Sequence, residues 1–166
     1  ALRLNYYKED LENHRDFYYG ENSGFNPTLK SALSDKTVLN VFYEHLEHER
    51  FIDRGIPSQN GAPVSSLVNT TFADTEGHNV STLNADVLKI NLNHRLDNQT
   101  KLRFNYTDNR YNKLYQNYYV GAYGTSYDSV PTVTPEGQVS MSGYKDTTQR
   151  ESTILSVDLI GEKQIF

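Results

Sequence analysis

The amino-acid sequence predicts an all-β protein, an antiparallel up-and-down meander of about six strands. Two observations predict it. Apolar and polar residues alternate with a period of two over several stretches, as strands with one apolar and one polar face require. Short turns and long connections also alternate along the chain, so the short ones fall on one side of the meander and the long ones on the other. Such a sheet is either a partial transmembrane β-barrel or half of a soluble β-sandwich. Outer-membrane barrels have short turns on one side and long loops on the other. A compact soluble domain rarely carries two long structureless loops.

The elements follow in order. Leu2, Leu4 and Tyr6 oppose Arg3 and Asn5 in a first strand, 1–10. The second, 18–33, alternates weakly but ends in a good turn, Ser34-Asp35-Lys36. In the third, 37–50, Leu39, Val41 and Tyr43 oppose Asn40 and Glu44, although Val38 and Phe42 break the polar face. The clearest pair is 84–96 with 100–119. Leu88, Ile90, Leu92, His94 and Leu96 oppose Lys89, Asn91, Asn93 and Arg95. After the turn Asp97-Asn98-Gln99, Leu102, Phe104 and Tyr106 oppose Lys101, Arg103, Asn105 and Thr107, which reads as a hairpin. In the last strand, 146–161, Leu155, Val157 and Leu159 oppose Ser156 and Asp158, with Ile154 and Ile160 as exceptions. Several of these strands exceed the roughly 9–11 residues that cross a bilayer. The stretches 51–83 and 120–145, rich in Gly, Pro, Ser and Asn, read as the long loops.

Composition narrows the function classes. Apolar residues are 36% of the 166, and no run is long enough for a membrane-spanning helix. A β-barrel passes that test, because only alternate residues meet lipid. Thirteen Tyr and seven Phe without Trp suit strands and interface belts. There is no Cys, hence no disulfide and no thiolate metal site. A net charge of −5 with scattered signs offers no basic block for nucleic acid. His45 and His48 lie among glutamates, but on a strand they point to opposite faces, so no metal site is expected. Sequons at Asn69, Asn79, Asn98 and Asn105 are read as chance. Nucleophile-elbow and phosphate-loop patterns are absent, and no carboxylate pair stands out as an acid/base couple. The chain is expected to be no enzyme and to hold no cofactor. Both of its ends read as cuts through a larger protein.

Several stretches resemble the barrel of TonB-dependent siderophore receptors, in their ferric-catecholate branch. These are Ala1-Leu-Arg-Leu-Asn5, Gly24-Phe-Asn-Pro-Thr-Leu29, and Tyr43-Glu-His-Leu-Glu-His-Glu-Arg50 running into Phe51-Ile-Asp-Arg-Gly-Ile-Pro-Ser58. Further on come Asn84-Ala-Asp-Val87 leading to Leu92-Asn-His-Arg-Leu-Asp-Asn98, then Tyr115-Gln-Asn-Tyr-Tyr119 with Thr148-Gln-Arg-Glu151. The likeness covers nearly the whole chain in order, while the loops match poorly. It implies that 1–166 is a fragment of a barrel of about 22 strands, whose plug domain and remaining strands are absent. It also implies a bacterial outer-membrane location, a ferric siderophore as transported ligand, and energy from the TonB complex acting through the missing plug. Outer-membrane lipid would be the further partner. The alternatives are a soluble β-sandwich for carbohydrate binding or adhesion, and a barrel enzyme using loop carboxylates.

Ferric catecholates are aromatic and anionic, so a site for them needs cations and stacking rings. The strand ends and long loops offer Arg50, Arg54, Arg110, Lys113, Tyr115, Tyr118, Tyr119, Tyr123, Tyr127, Tyr144 and Arg150. The bland reading of the Tyr cluster is an interface belt with loop packing. On the barrel reading Leu88, Ile90 and Leu92 face lipid, while Lys89, Asn91, Arg95, Arg103 and Asn105 face the lumen.

Overall fold

The computed structural model describes residues 1–59, 61–72, 77–123 and 139–161. The strands are β1 (Leu2–Leu11), β2 (Gly20–Ser34), β3 (Thr37–Phe51), β4 (Ser58–Gln59), β5 (Ala62–Pro63), β6 (Val80–Arg95), β7 (Thr100–Tyr123) and β8 (Val139–Gly161). Six form one sheet in the order β1-β2-β3-β6-β7-β8, and β4 and β5 make a separate small hairpin. Every neighbouring pair is antiparallel, so the sheet is the expected up-and-down meander. It is open, with β1 and β8 at its edges.

The two tight turns are held by side chains. The Ser34 hydroxyl accepts the Lys36 N–H at 3.2 Å and meets the Thr37 hydroxyl at 3.0 Å. Asp97 Oδ1 accepts the N–H groups of Gln99 and Thr100 at 2.8 and 2.7 Å, which holds its carboxyl below the usual carboxylate range. The turns are neighbours: the Arg95 N–H donates to the Lys36 carbonyl at 2.8 Å. All the long connections therefore leave from the other end of the sheet.

Strand register sorts the residues into two faces. One row of register partners reads Leu2, Leu29, Val41, Ile90, Tyr106, Leu155 across all six strands. The row one residue along, on the opposite face, reads Lys30, Asn40, Asn91, Asn105, Ser156 from β2 to β8. Its amides form a ladder. Asn40 donates to Asn91 at 3.2 Å, Asn91 to Asn105 at 2.6 Å, and Asn105 to Ser156 at 3.0 Å. Arg103 Nε joins at 3.2 Å through Asn93, which itself donates to Asn91. Phe42, an exception to the alternation, lies on this polar face under the Lys89 ammonium, 5.3 Å from its ring centre.

The apolar face has no cover among the described residues. Leu4 and Leu159 are 61% and 69% exposed. The buried apolar side chains among those residues are Phe51, Ile52, Ala85 and Val87, too few for the interior of a sandwich. The apolar band also slants. On β7 and β8 it holds Leu102, Phe104 and Tyr106, paired with Leu159, Val157 and Leu155. On β1 it holds Leu2, Leu4 and Tyr6, paired with Leu29, Pro27 and Phe25. Followed along the pairing, the row of Tyr6 and Phe25 runs into His45, Asp86, Arg110 and Glu151. The band thus climbs four residues, or two rows of the same face, from β8 to β1. At about 3.3 Å per residue and 4.8 Å between strands, this is a slope of roughly 30°. A level hydrocarbon layer crossed by tilted strands requires such a slope, and barrel strands tilt by about 35–45°. A sandwich core sets no such condition.

Some boundaries differ from the sequence expectation. β7 and β8 run on to Tyr123 and back to Val139, beyond the expected 119 and 146, with an irregularity in register between Val120 and Tyr123. β6 begins at Val80 rather than 84. Met141-Ser-Gly-Tyr-Lys-Asp carries no apolar face, so alternation could not mark it as strand. The loop 51–83, expected to be structureless, contains β4, β5 and a 3-10 turn at Ser65–Leu67. The strand extensions lie at the long-loop end, where strands can project beyond a bilayer.

Placing Arg at Ile90 should destabilise the membrane-inserted protein by about 2–4 kcal/mol, whereas Arg at Ile154, on the polar face, should cost much less. Urea unfolding of the two variants in lipid vesicles measures the difference.

Candidate functional site

At the long-loop end, the polar face gathers cations and aromatic rings. Alternation along β7 puts Lys113, Tyr115, Asn117 and Tyr119 on that face, and register brings Tyr144 of β8 opposite Asn117. Tyr115 and Tyr144 stack, with ring centres 5.8 Å apart and planes 21° from parallel. The Lys113 ammonium lies 5.8 Å from the centre of the Tyr115 ring. Arg54 reaches in from the loop after β3. Its guanidinium sits 5.6 Å from the centre of the Tyr119 ring, and Nη1 donates to the Tyr115 hydroxyl at 3.4 Å. Arg54 and Lys113 remain exposed, so their charge is open to an incoming anion.

The loop carrying Arg54 is fixed by its own sequence. Asp53 Oδ1 accepts the Gly55 N–H at 2.9 Å, and Gly55 has φ +86°, a conformation glycine adopts without strain. This turn is the physical content of Asp-Arg-Gly: Asp53 anchors, Gly55 bends, and Arg54 stands at the tip. Asp53 is itself clamped by Arg15 from the loop between β1 and β2. Arg15 Nε and Nη2 donate to its two carboxylate oxygens at 2.7 and 2.9 Å. Nη1 donates to the Val68 carbonyl at 2.7 Å, and the Arg15 side chain is only 7% exposed. The clamp ties two loops together and sets the position of Arg54.

Asn79 fixes the other side of the site. It is 1% exposed. Its side-chain amide copies a strand: Oδ1 accepts the Tyr118 N–H at 2.6 Å, and Nδ2 donates to the Tyr118 carbonyl at 3.0 Å. Its own carbonyl accepts the Ile52 N–H at 2.9 Å. One residue thus joins the end of β3 to β7 where the regular ladder stops. On β8, Gly143 lies opposite Tyr118, and a side-chain carbon there would come within 2.5 Å of the ring. Asn117, also 1% exposed, differs from Asn79: neither Nδ2 nor Oδ1 has a hydrogen-bond partner. Leaving such a buried group unpaired costs about 1–3 kcal/mol.

Of the residues singled out from sequence, the structure brings together Arg54, Lys113, Tyr115, Tyr119 and Tyr144. Arg50, opposite Gly20 and Ser81, and Arg150, opposite Tyr111, share their face. Arg110 and Tyr118 point the other way. Arg110 lies on the face of the apolar band, two rows beyond Tyr106 on β7, with Nε 3.2 Å from Asp108. Tyr118 meets the ring of His78 edge-on at 6.1 Å. Tyr123 ends β7, its backbone paired with Val139, and Tyr127 lies outside the described residues. Single-residue periodicity separates these sets, but only a fixed register along β7 makes the separation visible. Arg15, Asp53 and Asn117 were not singled out, and Asn79 drew notice only as a sequon.

His45 and His48 take opposite faces, as a strand demands. His45 Nδ1 is 2.9 Å from Asp86 Oδ1, which also accepts the Tyr43 hydroxyl at 2.5 Å. No group of three metal-ligating residues occurs among the described residues. A recess of about 350 Å³ is lined by Lys8, Glu21, Glu47 and Glu49 on the side of the apolar band. Its carboxylates suit no anion. Nearby, Tyr19 donates to Glu49 at 3.0 Å, and burial together with that carboxylate pushes its phenol up.

The same architecture occurs in solved structures. Over 99% of this chain matches the ferric-catecholate import receptor Fiu from E. coli K12 in its open form, with a TM-score of 0.71 and 19% identity. The fold is that of a segment of a β-barrel wall. The closed form of Fiu matches equally, with a TM-score of 0.70, 19% identity and 99% of this chain covered. The chain spans about a quarter of the length of those receptors, 27% and 25% respectively. No protein-family model matches the chain, and no curated protein sequence does. In the barrel frame the apolar band is the outer wall, the asparagine ladder lines the lumen, and the cation–tyrosine cluster stands on the lumen wall at the loop end.

Arg15→Ala should free the loop bearing Arg54. Loss of one partner of so buried a pair costs about 3 kcal/mol locally. Amide exchange at Arg54 and Gly55 should quicken correspondingly, while that of Ile90 stays unchanged.

Proposed function

We propose that this chain is part of an outer-membrane receptor for TonB-dependent uptake of ferric siderophores. The cluster of Arg54, Lys113, Tyr115, Tyr119 and Tyr144 carries the reading. A ferric catecholate is an anion built from aromatic rings, and this surface offers two exposed cations over three phenol rings on one wall. Cation–π contacts already order the arginine and the lysine, so little freedom is lost when a ligand ring joins the stack. The neighbouring structures support the class of function, since Fiu is a ferric-catecholate import receptor.

On this reading the chain binds and passes on its ligand rather than transforming it. Lipid is the partner of the outer face, and the lumen face borders a plug domain through which the TonB complex supplies energy. Arg110 and Tyr118 belong to the outer wall and take no part in ligand binding.

Uptake of a radiolabelled ferric catecholate by cells expressing the intact protein tests this. Arg54→Ala and Tyr115→Ala should each reduce uptake at limiting ligand about tenfold, the effect of roughly 1.4 kcal/mol in binding. Arg110→Ala should leave it unchanged. Equal uptake by all three variants and the wild type would remove the cluster as the binding site.

A further inference from the structure

Among the described residues, the one polar side chain that is buried without a partner is Asn117. Its neighbours on the lumen face are Tyr115 and Tyr119, two residues away on β7, and Tyr144 directly opposite on β8. Register therefore places Asn117 on the same face as, and between, three tyrosines of the cluster. Buried amides are kept where they are paired, and Asn79, just before the adjacent strand β6 and bonded to the backbone of Tyr118, uses both of its polar atoms. Asn117 uses neither. An apolar residue of the same size would fill the space without leaving a donor and an acceptor unmatched.

Resting on the binding site proposed above, we infer that Asn117 is a specificity-determining residue of that site, hydrogen-bonding an oxygen-rich aromatic anion of the catecholate class. When a ligand ring enters the tyrosine cluster, Nδ2 donates to a catecholate oxygen. Oδ1 accepts from a hydroxyl or amide N–H on the same ligand. The bond to the anion is charge-assisted and so stronger than a neutral one. A ring lacking the oxygens would stack on the same tyrosines but leave the amide unmatched. A site built to pair with a polar group rejects analogues that lack it far more strongly than an apolar pocket does. The unpaired amide is thus the source of discrimination.

The intact protein, purified in detergent, tests this with iron(III) tris-catecholate as probe, read by tyrosine fluorescence quenching and by thermal unfolding. Asn117→Leu should weaken probe binding at least tenfold while leaving the unfolding temperature equal or higher. Asn117→Asp, which puts a negative charge beside the anion, should weaken it further. Arg54→Ala serves as the control for the site itself. If Arg54→Ala weakens binding but Asn117→Leu does not, the inference fails and the site stands. If Asn117→Leu loses binding and thermal stability together, Asn117 is a structural strut and the inference fails. If the wild type does not bind the probe, or Arg54→Ala binds it as well as the wild type, the site itself is overturned and this role with it.

Discussion

Each strand in the middle of this sheet must satisfy two environments at once, and the alternation of its side chains is what allows it. Backbone donors and acceptors are spent on the neighbouring strands, so neither face owes the solvent a hydrogen bond. Side chains alone then decide what each face can meet. The row from Leu2 to Leu155 offers hydrocarbon, and the row beside it, Asn40 through Ser156, closes an amide ladder on itself. A register slip of one residue would exchange the two faces, placing asparagines in the apolar band and leucines in the amide ladder. The ladder and the apolar row therefore fix the register together, and everything above them on the strands inherits it.

The cation–tyrosine cluster depends on that inheritance. Lys113, Tyr115 and Tyr119 stand on one wall because Arg103 and Asn105 do, several turns of the pleat below. Rigid strands hold the rings to one face, which a free loop would not do. Among the described residues the loops contribute Arg54, and the structure restrains it twice: by the Asp53–Gly55 turn and by the Arg15 clamp. Asn79 closes the gap between β3 and β7 at the same height, so the wall keeps its shape beyond the last ladder pair.

The strands with one apolar face were legible in the sequence, and so were both tight turns, since Ser34 and Asp97 bond their own backbone nearby. The site was legible in composition, as cations and tyrosines near the long loops. Its geometry was not. Arg110 and Lys113 look equivalent in sequence, yet an odd separation of three residues puts them on opposite faces of β7. The extension of β8 back to Val139 was hidden because the alternation of Val139 and Met141 stops at once at Gly143 and Lys145. The clamp of Arg15 on Asp53 spans 38 residues and leaves no local pattern. Asn117 could be seen only as a polar residue between tyrosines. Its lack of a partner is a property of packing, and packing is not written in periodicity.

The central claim is that the apolar band meets hydrocarbon while the opposite face lines water. With no cysteine in the chain, single nitroxide labels can be placed one at a time at residues 87–93 of the intact protein in lipid vesicles. Collision rates with oxygen, which concentrates in the bilayer, and with a water-soluble nickel chelate should then alternate. Positions 88, 90 and 92 are expected to be reached by oxygen and shielded from nickel, with the intervening positions lacking that oxygen-rich lipid signature. Uniformly low collision with both reagents at all seven positions would mean a sheet buried between protein layers, and would contradict the account.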